Sequence, residues 1–507
     1  MQNTSLKDSQ MCGTIIISVA RRIVMRKSVL SLVLTLAVLT ACLVSCSGGE
    51  SADSVTQSSA ENTPQYEEID GYTATLAEEY SFDGESFSII GKASDHCEFE
   101  EETGNLENDA LYKRMRELED LFGITYSFVR CDGLDYESSP SKEVYAKVQT
   151  DVMSGSGSYD MIHSNVMVGG QVMLGAGMLQ PVEELPCVDF SRDWWINDIE
   201  GQFGMGGHLY FLTGKIVTDH YTDASCVVFN KTIADEFNID GIYETVEAGD
   251  WTVDKMNEIM SVLPSDGSMF RLAVSNYEDG LAFYFGAGFS IAETDADGNL
   301  QIPMAITSEQ VDFIDKMASM MEDEKTVYVD KRNMGDTDTS AGFSDGQVFF
   351  HVTSIGYVSA FRSEDIEFGV LPMPKRDAEQ KDYISYAKAM GVCSYTVSKV
   401  VKNTEKVGVI AEAMAALSAK HLEPAYYEKA LKGRGTYDNE SRAMLDLIYA
   451  SKKMDYAATY QWGGLWEIID DSVTSVRDSY VSEYTSSARV ANLQVKQLVS
   501  KINYENK

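Results

Sequence analysis

Apolar positions along the chain switch between two periods, and the switches mark the elements. Phe87 to Ile90 form a short apolar run ending at Gly91, after which Leu111, Met115, Leu118 and Phe122 recur at helical spacing until Gly123 stops the stripe. Ile124 to Val129 alternate as a strand. Val144, Val148 and Val152 then stack every four residues in a helix over about Ser141–Met153, Tyr159–His163 return as a strand, and small residues over Val166–Gly175 form another helix. Strand, helix, strand, helix, strand implies a parallel, doubly wound sheet, because each crossover must return the chain in the same direction. Ligands of such sheets lie beyond the carboxyl ends of the strands, which points to the loops at Ser94–His96 and His163–Val166.

The stretch from Gly204 to Met260 begins with a hairpin-like alternation. Val227, Val228 and Phe229 then read as a buried strand that passes into a helix opened by Asn230 and Lys231. Thr252, after Trp251, is placed to cap a helix with Met256, Ile259 and Met260 on one face. Beyond it, Arg271–Asn276 read as a strand, LAFYFGAGF as a buried helix with a Gly-rich stop, DADGN as a hairpin tip and Ile306–Met321 as a helix. From Lys432 to Ile502 the pattern is helical throughout.

The N-terminal residues change the picture from a globule to an exported one. Four cations between Arg21 and Lys27 precede an apolar run, Val29–Ala41, too short to span a bilayer, so residues 1–45 read as a secretory signal, with 1–24 an upstream extension and Met25 a start. Leu43–Cys46 fit a bacterial lipobox, making Cys46 the residue to be lipidated; Leu39–Cys42 fit it as well. Residues 46–80, rich in Ser, Thr and Glu, are expected to be a flexible tether. The formal charge is −38, with 41 Lys and Arg against 79 Asp and Glu, which argues against a nucleic-acid partner. Beyond Cys46 the cysteines are Cys97, Cys131, Cys187, Cys226 and Cys393, an odd set without CxxC spacing, expected to be single buried thiols.

Catalytic patterns are missing. HExxH, a GxSxG elbow and a GxxxxGK phosphate loop do not occur, DADGN departs from a calcium loop in its Gly and closing positions, and the six histidines lack metal-ligand spacing. No cofactor and no metal are therefore expected. A glycosidase needs two carboxylates across its substrate, a condition that 79 acidic residues always satisfy somewhere.

The order FNK at Phe229–Lys231, WTVDK at Trp251–Lys255, GQVFF at Gly346–Phe350 and FGVLPMPK at Phe368–Lys375 resembles the extracellular sugar-type solute-binding proteins of ABC transporters, over roughly Ser81–Lys501. That resemblance implies an α/β, two-lobe periplasmic-binding-protein-like fold of type II. Lobe 1 would comprise 81–222 plus 388–431, lobe 2 would comprise 223–387 plus 432–507, and the chain would cross near Tyr221–Ser225 and again near Ala387. It further implies a monomeric receptor that captures a sugar or oligosaccharide between the lobes and delivers it to permease subunits. Sugars need aromatic platforms and polar side chains for their hydroxyls. The cleft positions carried onto this sequence are Asn165, Asp223, Asn276 with Tyr277, Thr353 with Ser354, and Trp462. Each has a structural alternative: Asn165 as a helix cap, Asp223 as a turn residue, Tyr277 and Tyr284 as packing. Trp462, before two glycines, suits an exposed loop, whereas Trp194, Trp195 and Trp251 suit packing. A cell-surface carbohydrate-active enzyme and a sensor or adhesin without transport remain as alternatives.

Overall fold

The computed structural model describes residues 63–92, 101–131, 142–196, 204–275, 277–294, 300–330, 337–361, 366–431 and 439–505. Its first part runs α1 (Thr63–Glu79), β1 (Ser86–Lys92), α2 (Leu106–Phe122), β2 (Thr125–Cys131), α3 (Lys142–Ser154) and β3 (Met161–Asn165). Local chemistry sets these limits. The Asn105 side chain caps α2 by accepting from Glu107 and Asn108 N–H, and Gly123 ends it in the left-handed conformation (φ 63°). β1 pairs in parallel with both β2 and β3, as the alternation of elements required.

The middle of the chain builds the second sheet from β4 (Ser225–Asn230), α4 (Lys231–Phe237), α5 (Val253–Ser261), β5 (Phe270–Ser275), α6 (Asp279–Gly286), α7 (Ser308–Met321), β6 (Val327–Asp330), β7 (Val348–Ser354) and β8 (Phe368–Leu371). Strand order is β6-β5-β7-β4-β8, with β4 antiparallel to both neighbours and the other pairings parallel. Asn230 and Thr252 cap their helices as expected, accepting from Ile233 and Lys255 N–H at 3.1 Å. Trp251 is fully buried, with its indole N–H on the Pro372 carbonyl at 2.9 Å. Glu293–Thr294 and Leu300–Gln301 pair antiparallel, while DADGN between them, expected as a hairpin tip, lies outside the described residues. Edge strand β6 was not visible in the sequence, since four residues are too short to establish a period.

The chain then adds β9 (Cys393–Thr396) to the first sheet, completing the order β9-β3-β1-β2, with β9 antiparallel to β3. The helices α8 (Thr404–Leu431), α9 (Asn439–Ala450), α10 (Leu465–Thr474) and α11 (Tyr480–Glu505) follow, with a single helical turn at Tyr456–Thr459 between α9 and α10. α8 packs on α2 beneath the first sheet, α9 on β8, and α10 on α6 and α7. No described helix is long and apolar enough to cross a membrane.

Two expectations need correction. The tether expected over 46–80 does not extend through its last part: Thr63–Glu79 is helix α1, which buries Ile69, Thr73 and Leu76 against α8. The i, i+4, i+7 spacing of those three residues supplies one narrow face within an otherwise polar stretch, too weak a stripe to outweigh composition in the sequence. Of the thiols, Cys131 and Cys226 are buried, but Cys187 and Cys393 are half-buried. Cys97, the signal residues, Cys42 and Cys46 lie outside the described residues.

Trp194 and Trp195 are buried, as packing required, and they do more than fill space. Their indole N–H groups donate to the two oxygens of Glu412 on α8 at 3.0 and 2.9 Å, and Tyr72 of α1 and the Asp189 N–H donate to the same carboxylate at 3.1 Å. Burial pushes the Glu412 pKa up, while the four donors pull it back.

Candidate functional site

The two passages between the sheets form an antiparallel ribbon. Leu212 and Tyr395 exchange both backbone hydrogen bonds, at 2.8 and 3.0 Å, Ala224 bridges Ala387, and Lys388 N–H donates to the Asp223 carbonyl at 3.2 Å. β4 and β9, the strands fed by these passages, are the ones that run against their own sheets. A chain that leaves one sheet and returns beside itself must traverse the gap in opposite directions. A two-strand ribbon between sheets concentrates any rotation in a few dihedrals, the property a hinge requires.

Asp223 lies on this ribbon, 7 % exposed, with Oδ1 accepting from Lys452 Nζ at 3.2 Å. Burial raises its pKa to about 6 against the pull of the Lys452 cation, and Asp219 adds a further push upward. Lys452 also donates to the His220 carbonyl at 2.7 Å. Ser354 reaches the same place at the end of β7, opposite Ser225, and the next two N–H groups donate to Ala224 and Thr222. Thr353 is fully buried opposite Cys226 in the middle of the second sheet. Asn165 ends β3 opposite Cys393 and accepts from Val168 N–H at 3.2 Å, so it acts as the cap of the turn that follows. Asn276 lies outside the described residues; its neighbour Tyr277 is half-buried, edge-on to Trp466 at 5.9 Å.

Trp462 is not the exposed loop aromatic that its glycines suggested. It is 4 % exposed and stacks on Tyr460 (centroids 4.8 Å, planes 25° apart), with the Tyr456 ring nearly parallel to it at 6.3 Å. Gly463 follows at φ 63°, where a Cβ would meet the Ser487 carbonyl at 2.5 Å, so the glycine closes the chain onto α11 instead of freeing the indole. This three-ring stack faces the first-sheet side: Tyr456 OH donates to Gly204 O at 3.2 Å, and Lys501 of α11 reaches Gly175 O. The Tyr460 hydroxyl is buried with no hydrogen bond. Sequence reading missed Tyr456, Tyr460 and Lys452. The first two carried a signal in YAATYQW, three aromatics within seven residues, whereas Lys452 carried none.

A groove of about 1550 Å³ borders the ribbon on the flank formed by Lys215, Tyr221, Glu247, Tyr383 and Lys452, and it is lined by none of the seven predicted ligand residues. A void of about 10 Å³ touches Asp223.

The architecture, two α/β lobes each holding a sheet flanked by helices and joined by crossing segments, is the periplasmic-binding-protein-like fold. Solved structures with this fold cover most of the chain. A cyclo/maltodextrin-binding protein complexed with maltotetraose is 17 % identical, with a TM-score of 0.52 over 83 % of this chain and 98 % of the other. The galacto-N-biose-/lacto-N-biose I-binding protein of the ABC transporter from Bifidobacterium longum, in complex with lacto-N-biose, is 13 % identical, with a TM-score of 0.54 over 82 % and 99 %. The GacH receptor of Streptomyces glaucescens is 13 % identical, with a TM-score of 0.50 over 83 % and 98 %. No protein-family model and no curated protein sequence matches the chain.

Proposed function

We propose that this chain is the substrate-binding protein of an ABC importer, held at the outer face of the cell membrane through a lipid on Cys46, and that it captures a sugar or oligosaccharide between its lobes. The observation that carries the reading is the paired crossing ribbon with the Tyr456–Tyr460–Trp462 stack, in a fold whose solved counterparts hold maltotetraose and lacto-N-biose. Flat aromatic faces take the C–H faces of pyranose rings, and the unused Tyr460 hydroxyl suits a sugar oxygen. The lobes would comprise 81–222 with 388–431 and 223–387 with 432–507. Asp223 and Ser354 would follow the hinge, and Asn165, Asn276, Tyr277 and Thr353 would border or support the cleft.

Here the lobes touch through Tyr456 and Lys501, so capture requires opening and reclosure, with the ligand favouring the closed form by its contacts to both sides. The protein would work as a monomer presenting its closed form to permease subunits, without catalysis and without a cofactor for sugar binding. Isothermal titration of the chain against a panel of neutral oligosaccharides tests this. Saturable heat with a glycan is expected; heat with peptides and none with any glycan would reject the sugar assignment. Cys46→Ala is expected to move the protein from the membrane fraction to the medium.

A further inference from the structure

Three side chains of metal-ligand type, far apart in the sequence, meet beside the ribbon. His163 of β3, Asp219 in the turn Thr218–Tyr221 that leads into the first crossing, and Cys393 at the start of β9 bring their ligand atoms within 4.8 Å of one another. Sheet register fixes two of them: β9 pairs Tyr395 with His163 and Cys393 with Asn165, so His163 and Cys393 are diagonal neighbours on one face. The His163 ring is held edge-on to Tyr395 at 4.9 Å. His163 is buried, whereas Asp219 and Cys393 are half-buried, which leaves an approach for an ion.

A second observation points to an occupant. The void of about 10 Å³ touches Asp219, Cys393 and Thr213, and that volume accommodates about one water or ion. Thr213 is 1 % exposed and its hydroxyl has no hydrogen-bond partner, although a buried hydroxyl without one is costly.

We propose that His163, Asp219 and Cys393 bind one Zn²⁺, with a water in the void as fourth ligand and the Thr213 hydroxyl hydrogen-bonded to that water. An imidazole nitrogen, a carboxylate oxygen and a thiolate form a borderline-soft set that suits Zn²⁺ and not Ca²⁺ or Mg²⁺, which take oxygen. Thiolate and carboxylate together neutralise the dication, so the bound centre leaves no net charge in a partly buried site. Its effect is mechanical: the ion ties the segment entering the first crossing to the strand that receives the second, and stiffens the root of the hinge. The proposal does not depend on which ligand the cleft takes.

Co²⁺ added to the reduced, tag-free chain provides the test, with Zn²⁺ competition giving stoichiometry. One equivalent per chain is expected, with a thiolate-to-cobalt charge-transfer band that disappears in Cys393→Ser and an affinity about tenfold or more lower in Asp219→Asn. His163→Ala should lose binding too, and if it fails to fold, the Ser and Asn variants, which keep side-chain volume, decide alone. His208→Ala, at the half-exposed pair with Glu183, should bind as the parent does. A missing charge-transfer band, or one that survives Cys393→Ser, would overturn the site.

Discussion

Glu412 and Asp470 are both carboxylates removed from water, and the molecule treats them in opposite ways. Glu412 receives four donors from two separate segments, two indoles, a phenol and a backbone N–H, so its burial is matched oxygen by oxygen and it clamps α1 and the Asp189–Trp195 loop to α8. Asp470 on α10 accepts from Leu281 N–H at 2.9 Å through Oδ1, while its Oδ2 is buried without a hydrogen bond of ordinary geometry. Burial, with the negative charges of Asp279 and Glu278 beside it, raises its pKa to about 8. Asp279 in turn holds Lys388 at 2.7 Å, and Lys388 belongs to the second crossing. A buried acid with fixed donors is scaffold. One with an unmatched oxygen and acidic neighbours is a proton-binding group placed where the second sheet's helices meet the second crossing.

The comparison can be broken at Glu412 first. Glu412→Gln turns an amide N–H₂ toward two of the four donors, leaving both unpaired, and should cost about 2–5 kcal/mol in urea unfolding. Loss under about 1 kcal/mol would mean the clamp is not structural. Next in size, Gly408→Ala, one turn earlier on the same helix face, would place a Cβ 1.9 Å from the Pro186 carbonyl and should cost about 1–3 kcal/mol by the same assay.

Asp470→Asn should act with the opposite sign. The native acid keeps its proton up to about pH 8, whereas the unfolded chain releases it near 4, so the folded state binds more protons between these values and stability falls as pH rises through that window. The Asn variant should flatten this fall and raise Tm at pH 8 by about 2 °C or more, read by scanning calorimetry. An unchanged pH profile would remove Asp470 from the account. Smallest is Trp462→Phe, which keeps a ring in the buried stack and so leaves the unfolding midpoint little changed, and is expected to weaken glycan affinity about threefold in titration through the smaller stacking face.

Much of the architecture was legible because it rests on local signals. The Leu111–Phe122 stripe with its Gly123 stop, the Asn230 and Thr252 caps, and the run of strands and helices up to β3 each depend on residues within a turn or two of one another. The site was less legible. The resemblance put Asp223 at the crossing just before FNK, and the residue does lie on the ribbon between the sheets, but the Lys452 that pairs with it comes from more than 200 residues away. Trp462 was read as exposed from its glycines, and the structure uses one of those glycines to bury it.

Sequence alone determined most of the helices and strands, α1 and β6 aside, where many of them end, and that the chain is acidic, since propensity, capping and hydrophobic period act over a few residues. Only the tertiary structure decided which groups share a neighbourhood: the four donors on Glu412, the unmatched oxygen of Asp470, and the meeting of His163, Asp219 and Cys393. Those placements follow from strand register and from the two crossings lying side by side, and no local pattern encodes the distance between residues that only a folded sheet brings together.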